Sequence, residues 1–136
     1  MSKSREHARL LMEKAAEDAY VLERLAGDAK APDAIMGFHA QQAVEKCLKA
    51  VLTSRGIPYA RTHDLAGLVE LLERSGIGGP PQADSLPRLS PFAAEHRYGR
   101  LPPEEGEEAS LDRDWAMRCV GLVTSWAKSK LADEVS

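Results

Sequence analysis

Apolar residues along this chain recur at steps of three and four, and nowhere in sustained alternation, so the pattern predicts helices and no sheet. Over residues 4–26, Ala8, Leu11, Met12, Ala15, Ala19, Leu22 and Ala26 share one face, Arg9, Glu13, Glu17 and Arg24 stay on the wet side, and Gly27 stops the run. Pro32 and Asp33 are suited to a new helix start. From there Met36, Ala40, Ala43, Val44, Cys47, Leu48 and Val51 form a broad stripe that ends at Gly56, with Pro58 just beyond. The short connection makes these two helices an antiparallel hairpin.

Thr62 is placed to cap a third helix carrying Leu65, Leu68, Val69 and Leu72 inward, closed by Gly76. Residues 75–81 are a Gly/Pro loop. They lack the Gly-Lys-Ser/Thr of a phosphate cradle and follow no strand. Ser90 and Pro91 would open a short helix running to Arg97, and residues 99–109, with two prolines and four glutamates, read as an acidic loop. A last helix begins near Ser110 with Asp112 and Asp114 in its first turn. Trp115, Cys119, Leu122 and Trp126 form its stripe, with Ala116, Val123 and Ala127 beside them. The expected fold is all-α, an up-and-down bundle of about five helices forming one domain over residues 1–136.

Composition narrows the partners. With aromatics at 5%, the core must be built from Leu, Ala, Val and Met, and the net charge of −3 disfavours non-specific binding to duplex nucleic acid. No apolar run approaches a membrane span and the first residues lack a signal peptide's apolar stretch, so a cytoplasmic location is expected. The second helix is apolar over more than half its circumference, with Ile35, Phe38 and Leu52 outside the main stripe. One hairpin partner cannot cover that surface, and a homodimer is expected.

On the same helix His39, Gln42, Lys46 and Lys49 step by three, four and three, forming a polar ridge rich in hydrogen-bond donors. Such a ridge can meet an anionic ligand, two ammonium groups converging on one phosphate. Alternatively, Lys46 and Lys49 pair with Glu45 or with acids of the next helix. His63 has the same two options, a ligand contact or a structural bond to a neighbouring helix. No metal site is expected, because no two histidines stand at i, i+4 and the cysteines are far apart. Cys47 and Cys119 fall on apolar faces and read as buried thiols. No Gly-x-Ser-x-Gly turn is present, and carboxylates pair only as Glu104-Glu105 and Glu107-Glu108 in the acidic loop. No cofactor is called for.

The segment Phe38-His39-Ala40-Gln41-Gln42-Ala43-Val44-Glu45-Lys46-Cys47-Leu48-Lys49-Ala50 resembles the central helix of HEPN domains (higher-eukaryote and prokaryote nucleotide-binding). Thr62-His63-Asp64-Leu65 and Arg97-Tyr98 follow in the same order. The type resembled is the C-terminal helical domain of kanamycin nucleotidyltransferase, whose relatives are often encoded beside a minimal nucleotidyltransferase. The resemblance implies a homodimeric, nucleotide-binding or accessory protein in a two-component, toxin–antitoxin-like arrangement. His39, Gln42, Lys46, Lys49, His63, Arg97 and Tyr98 would be its ligand or partner surface.

Many HEPN domains are metal-independent ribonucleases with an Arg, four to six residues, then a His. Here His63 follows Arg55, and His96 follows Arg88, each one residue too late. Both gaps cross a helix boundary or a proline, so that signature is absent. The alternatives are an unorthodox RNA-cleaving site at His96 and Arg97, or a purely structural dimer module.

Overall fold

The computed structural model describes residues 2–93 and 110–133. Five helices make up the described fold, and no strand occurs among those residues. They are α1 (Lys3–Leu25), α2 (Asp33–Ser54), α3 (Leu65–Arg74), a 3-10 helix (Leu86–Phe92) and α4 (Arg113–Asp133). α2 lies at the centre. It packs along α1 for most of its length and also touches α4, the 3-10 helix and α3, whereas α1 and α4 scarcely meet. All seven residues of the predicted α2 stripe are fully buried.

The ends of these helices follow from local chemistry. Ser2 caps α1 by accepting from the Arg5 N–H. α2 closes in a Schellman turn: Gly56 N–H donates to Thr53 O and Ile57 N–H to Leu52 O, with Gly56 at a φ of +68° that a side chain would resist. The start of α4 is stapled to the α1–α2 connection. Arg113 Nε donates to Asp33 Oδ1 at 3.0 Å, its Nη1 to Asp28 O and its Nη2 to Ala31 O, while Leu111 N–H donates to Asp33 Oδ2.

Several expectations need correcting. α3 is capped by Asp64, which accepts from Ala66 N–H. Thr62 lies two residues earlier and accepts from Asp64 N–H. Ser90 and Pro91 open no helix, because they sit inside the 3-10 helix, and Ser90 Oγ instead accepts the first N–H of α3, from Leu65. The rest of that expected helix and the acidic loop lie outside the described residues. α4 starts at Arg113 behind Asp112, which accepts from Trp115 N–H. Its buried face is centred on Ala116, Cys119, Val120, Val123 and Ala127, and Leu122 is 41% exposed. Small side chains face α2 and let the two backbones come close, so the tryptophans flank the contact half-buried, Trp115 beneath the Arg88 guanidinium at 4.9 Å.

The surplus apolar face of α2 is largely used inside the chain. Leu52 is fully buried and Phe38 half-buried, edge-on to His39, while Ile35 alone of the three is exposed. No helix among the described residues is long and apolar enough to cross a membrane.

Candidate functional site

The polar ridge of α2 lies against two carboxylates. Asp18 occupies a position on the apolar stripe of α1, between Ala15 and Leu22, and is only 7% exposed. Its Oδ1 faces His39 Nδ1 at 2.9 Å and its Oδ2 accepts from Lys46 Nζ at 2.6 Å. On α2 itself, next to Lys46, Glu45 is 4% exposed. It accepts from Lys49 Nζ and faces His63 Nδ1, both at 2.9 Å, and it accepts from Gln41 Nε2 at 2.8 Å. Burial alone would raise the Glu45 pKa. The bonds from Lys49, Gln41 and His63 outweigh it and hold the carboxyl below the ordinary glutamate range.

The Glu45 set extends further through Gln41. Gln42 Nε2 donates to Gln41 Oε1 at 2.7 Å, and Gln41 Nε2 also reaches His63 O. Lys49 Nζ donates to Thr62 O and lies 5.5 Å from the Tyr59 ring centroid. The network therefore fastens the loop before α3 to the middle of α2. Among the described residues no buried side-chain nitrogen or oxygen lacks a partner.

Four of the residues expected from sequence to form a ligand surface, His39, Lys46, Lys49 and His63, thus meet carboxylates of the same chain, and a fifth, Gln42, bonds to the Gln41 amide. His96, Arg97 and Tyr98 lie outside the described residues. Sequence reasoning missed Asp18 and Gln41. The signal was present for Asp18, an acid on an otherwise apolar stripe, whereas Gln41 falls between the stripe and the ridge.

Chemically, each imidazole faces an acceptor-only carboxylate oxygen through Nδ1, so Nδ1 carries the proton of that bond. Half of the His63 side chain is exposed. The ammonium charges of Lys46 and Lys49 are each answered by a buried carboxylate, so the ridge presents no net positive field. Among the described residues no three His, Cys, Asp or Glu side chains form a group that could hold a metal.

The cysteines are free and buried. Burial pushes the Cys47 thiol up to about 11, against the weak contact to Thr124 Oγ1 at 3.8 Å, and raises Cys119 as well. Only roughly one Cys47 in a thousand is then thiolate at pH 8. A colorimetric thiol reagent at pH 8 is expected to leave Cys47 unmodified in the folded protein and to count two thiols after denaturation. Rapid native modification of Cys47 would contradict that environment.

A family model for the HEPN domain matches residues 8–130, which takes in all four α-helices and the paired ridge between them. No curated protein and no solved structure gives a significant match. A match over so much of the chain, on an all-helical fold organised around the expected central helix, places this protein in the HEPN family.

Proposed function

We propose that this HEPN chain is a non-catalytic accessory protein, homodimeric, that works by holding a protein partner, and that the α2 ridge serves its fold rather than a nucleotide. The observation carrying this reading is the pairing of Lys46 with Asp18 and of Lys49 with Glu45. A phosphate at the ridge would have to take both ammonium groups from carboxylates that are almost inaccessible to water. Each stranded carboxylate would cost about 3 kcal/mol or more, and a single phosphate contact does not offset two such losses. The partner implied by the family resemblance is a minimal nucleotidyltransferase, in a toxin–antitoxin-like pair.

The test is to read the neighbouring reading frame for a minimal nucleotidyltransferase, co-express the chain with a minimal nucleotidyltransferase from that position, and follow with light scattering on the purified complex and calorimetric titration of the chain with ATP and AMP. A complex containing two copies of the chain is expected, with no heat from nucleotide alone. Nucleotide binding that disappears on replacing Lys46 and Lys49 with alanine would return the ridge to ligand binding. Metal-free cleavage of single-stranded RNA, abolished by His96→Ala or Arg97→Ala, would establish the ribonuclease reading instead.

A further inference from the structure

Away from the ridge, the first half of α1, the last turn of α2 and the C-terminal half of α4 enclose a groove of about 430 Å³. Its apolar lining is Ala8, Met12, Ala16, Leu131 and Ala132. These side chains are mostly small, so the groove has depth, and an occupant must bring the bulk that fills it. Among the described residues the polar lining includes Arg5, Arg9 and Lys128 and no carboxylate. In a chain whose net charge is −3, this cationic rim is a local feature.

The cations are available. Arg9 is bonded to Glu13, but both side chains are more than half exposed, and such a pair contributes little. Arg5 and Lys128 form no ion pair among the described residues. The N-terminus of α1, capped by Ser2, adds the positive end of a helix dipole beside Arg5. A second copy seated symmetrically would set this rim against itself, like charge on like. Charge complementarity selects an acidic occupant.

We infer that the groove is a docking site for an amphipathic helix of a protein partner, with bulky apolar residues seated on Ala8, Met12 and Leu131 and flanking Asp or Glu side chains paired with Arg5, Arg9 and Lys128. A helix satisfies its own backbone, so it can present an apolar face to such a groove without stranding polar groups. The inference rests on the reading of the chain as partner-binding and names the surface that reading needs.

The probe is a panel of labelled helical peptides with leucines along one face in different registers and glutamates beside them, set against the same peptides carrying lysines. Binding is read by fluorescence anisotropy and mapped by amide chemical shifts. At least one glutamate-flanked peptide is expected to bind, to shift Ala8, Met12, Thr124 and Leu131, and to weaken with added salt. The double variant Arg5→Glu, Lys128→Glu changes only exposed side chains, and it is expected to weaken that peptide about tenfold.

Equal binding of the lysine peptides, shifts that map elsewhere, or no binding by any glutamate peptide would overturn the inference. So would a dimer that dissociates on the same double substitution, because a second copy would then occupy the groove. A nucleotidyltransferase complex unaffected by the double variant removes the groove but leaves the proposed function standing. Glutamate-peptide binding at the groove without any such complex does the reverse.

Discussion

Replacing Glu45 with alanine is expected to lower the unfolding free energy by about 3 kcal/mol or more, enough to move both the thermal and the urea midpoints well below those of the parent chain. The carboxylate is 4% exposed and takes bonds from three side chains. Removing it leaves the Lys49 ammonium, itself only 14% exposed, with the Thr62 carbonyl and the Tyr59 ring face. His63 loses its side-chain bond to α2, which leaves the loop before α3 held only through the His63 and Thr62 carbonyls. Pairing Glu45→Ala with Lys49→Met should recover part of the loss, because most of the cost lies in the stranded charge.

The effect also has a pH signature. The folded pKa of Glu45 lies below its unfolded value, so this stabilisation is complete above the ordinary glutamate range and is lost as pH falls through the folded value. Stability of the parent chain is therefore expected to drop below about pH 4, and Glu45→Ala should flatten that part of the profile. If urea midpoints of parent and variant agree within error from neutral to acid pH, the network contributes nothing to stability.

The parts of this architecture that could be read in the sequence are those set within one helix. The α2 stripe needs only the 3.6-residue period, and its end needs only a glycine free to take positive φ. The face of α4 was harder to read, because apolarity alone favours Leu122 and the two tryptophans. The close approach of α2 instead selects Ala116, Val123 and Ala127, and closeness is a tertiary fact. The ridge divides in the same way. Spacing puts His39, Gln42, Lys46 and Lys49 on one side of α2, and Glu45 four residues before Lys49 was a visible partner for it, but whether His39 and Lys46 face a ligand or an acid depends on Asp18, on another helix and more than twenty residues away. An acid in the apolar stripe of α1 was a sign that something cationic lay opposite. Ser90 reads as a local cap because Pro91 follows it, but its acceptor role toward Leu65 N–H connects segments that sequence spacing does not link.

Gly37→Ala is expected to destabilise the fold by about 1–3 kcal/mol, although alanine favours a helix interior over glycine by about 1 kcal/mol. Gly37 is buried in the second turn of α2, and the ring of Phe92 lies directly on it. A Cβ built at this position would stand 2.3 Å from both Cδ1 and Cγ of that ring, and 2.8 Å from Cε1. Phe92 is 5% exposed and ends the 3-10 helix, so it cannot swing into solvent without giving up its burial. Relief must come from lifting the 3-10 helix off α2, and with it Leu86 and Leu89, both fully buried. A double-mutant cycle with Phe92→Leu isolates the clash. Phe92→Leu alone costs packing, but in its presence Gly37→Ala should become close to neutral or stabilising, giving a coupling of about 1 kcal/mol or more. Additive losses in urea melts, or a rise in stability for Gly37→Ala alone, would show that the glycine is not what seats the ring.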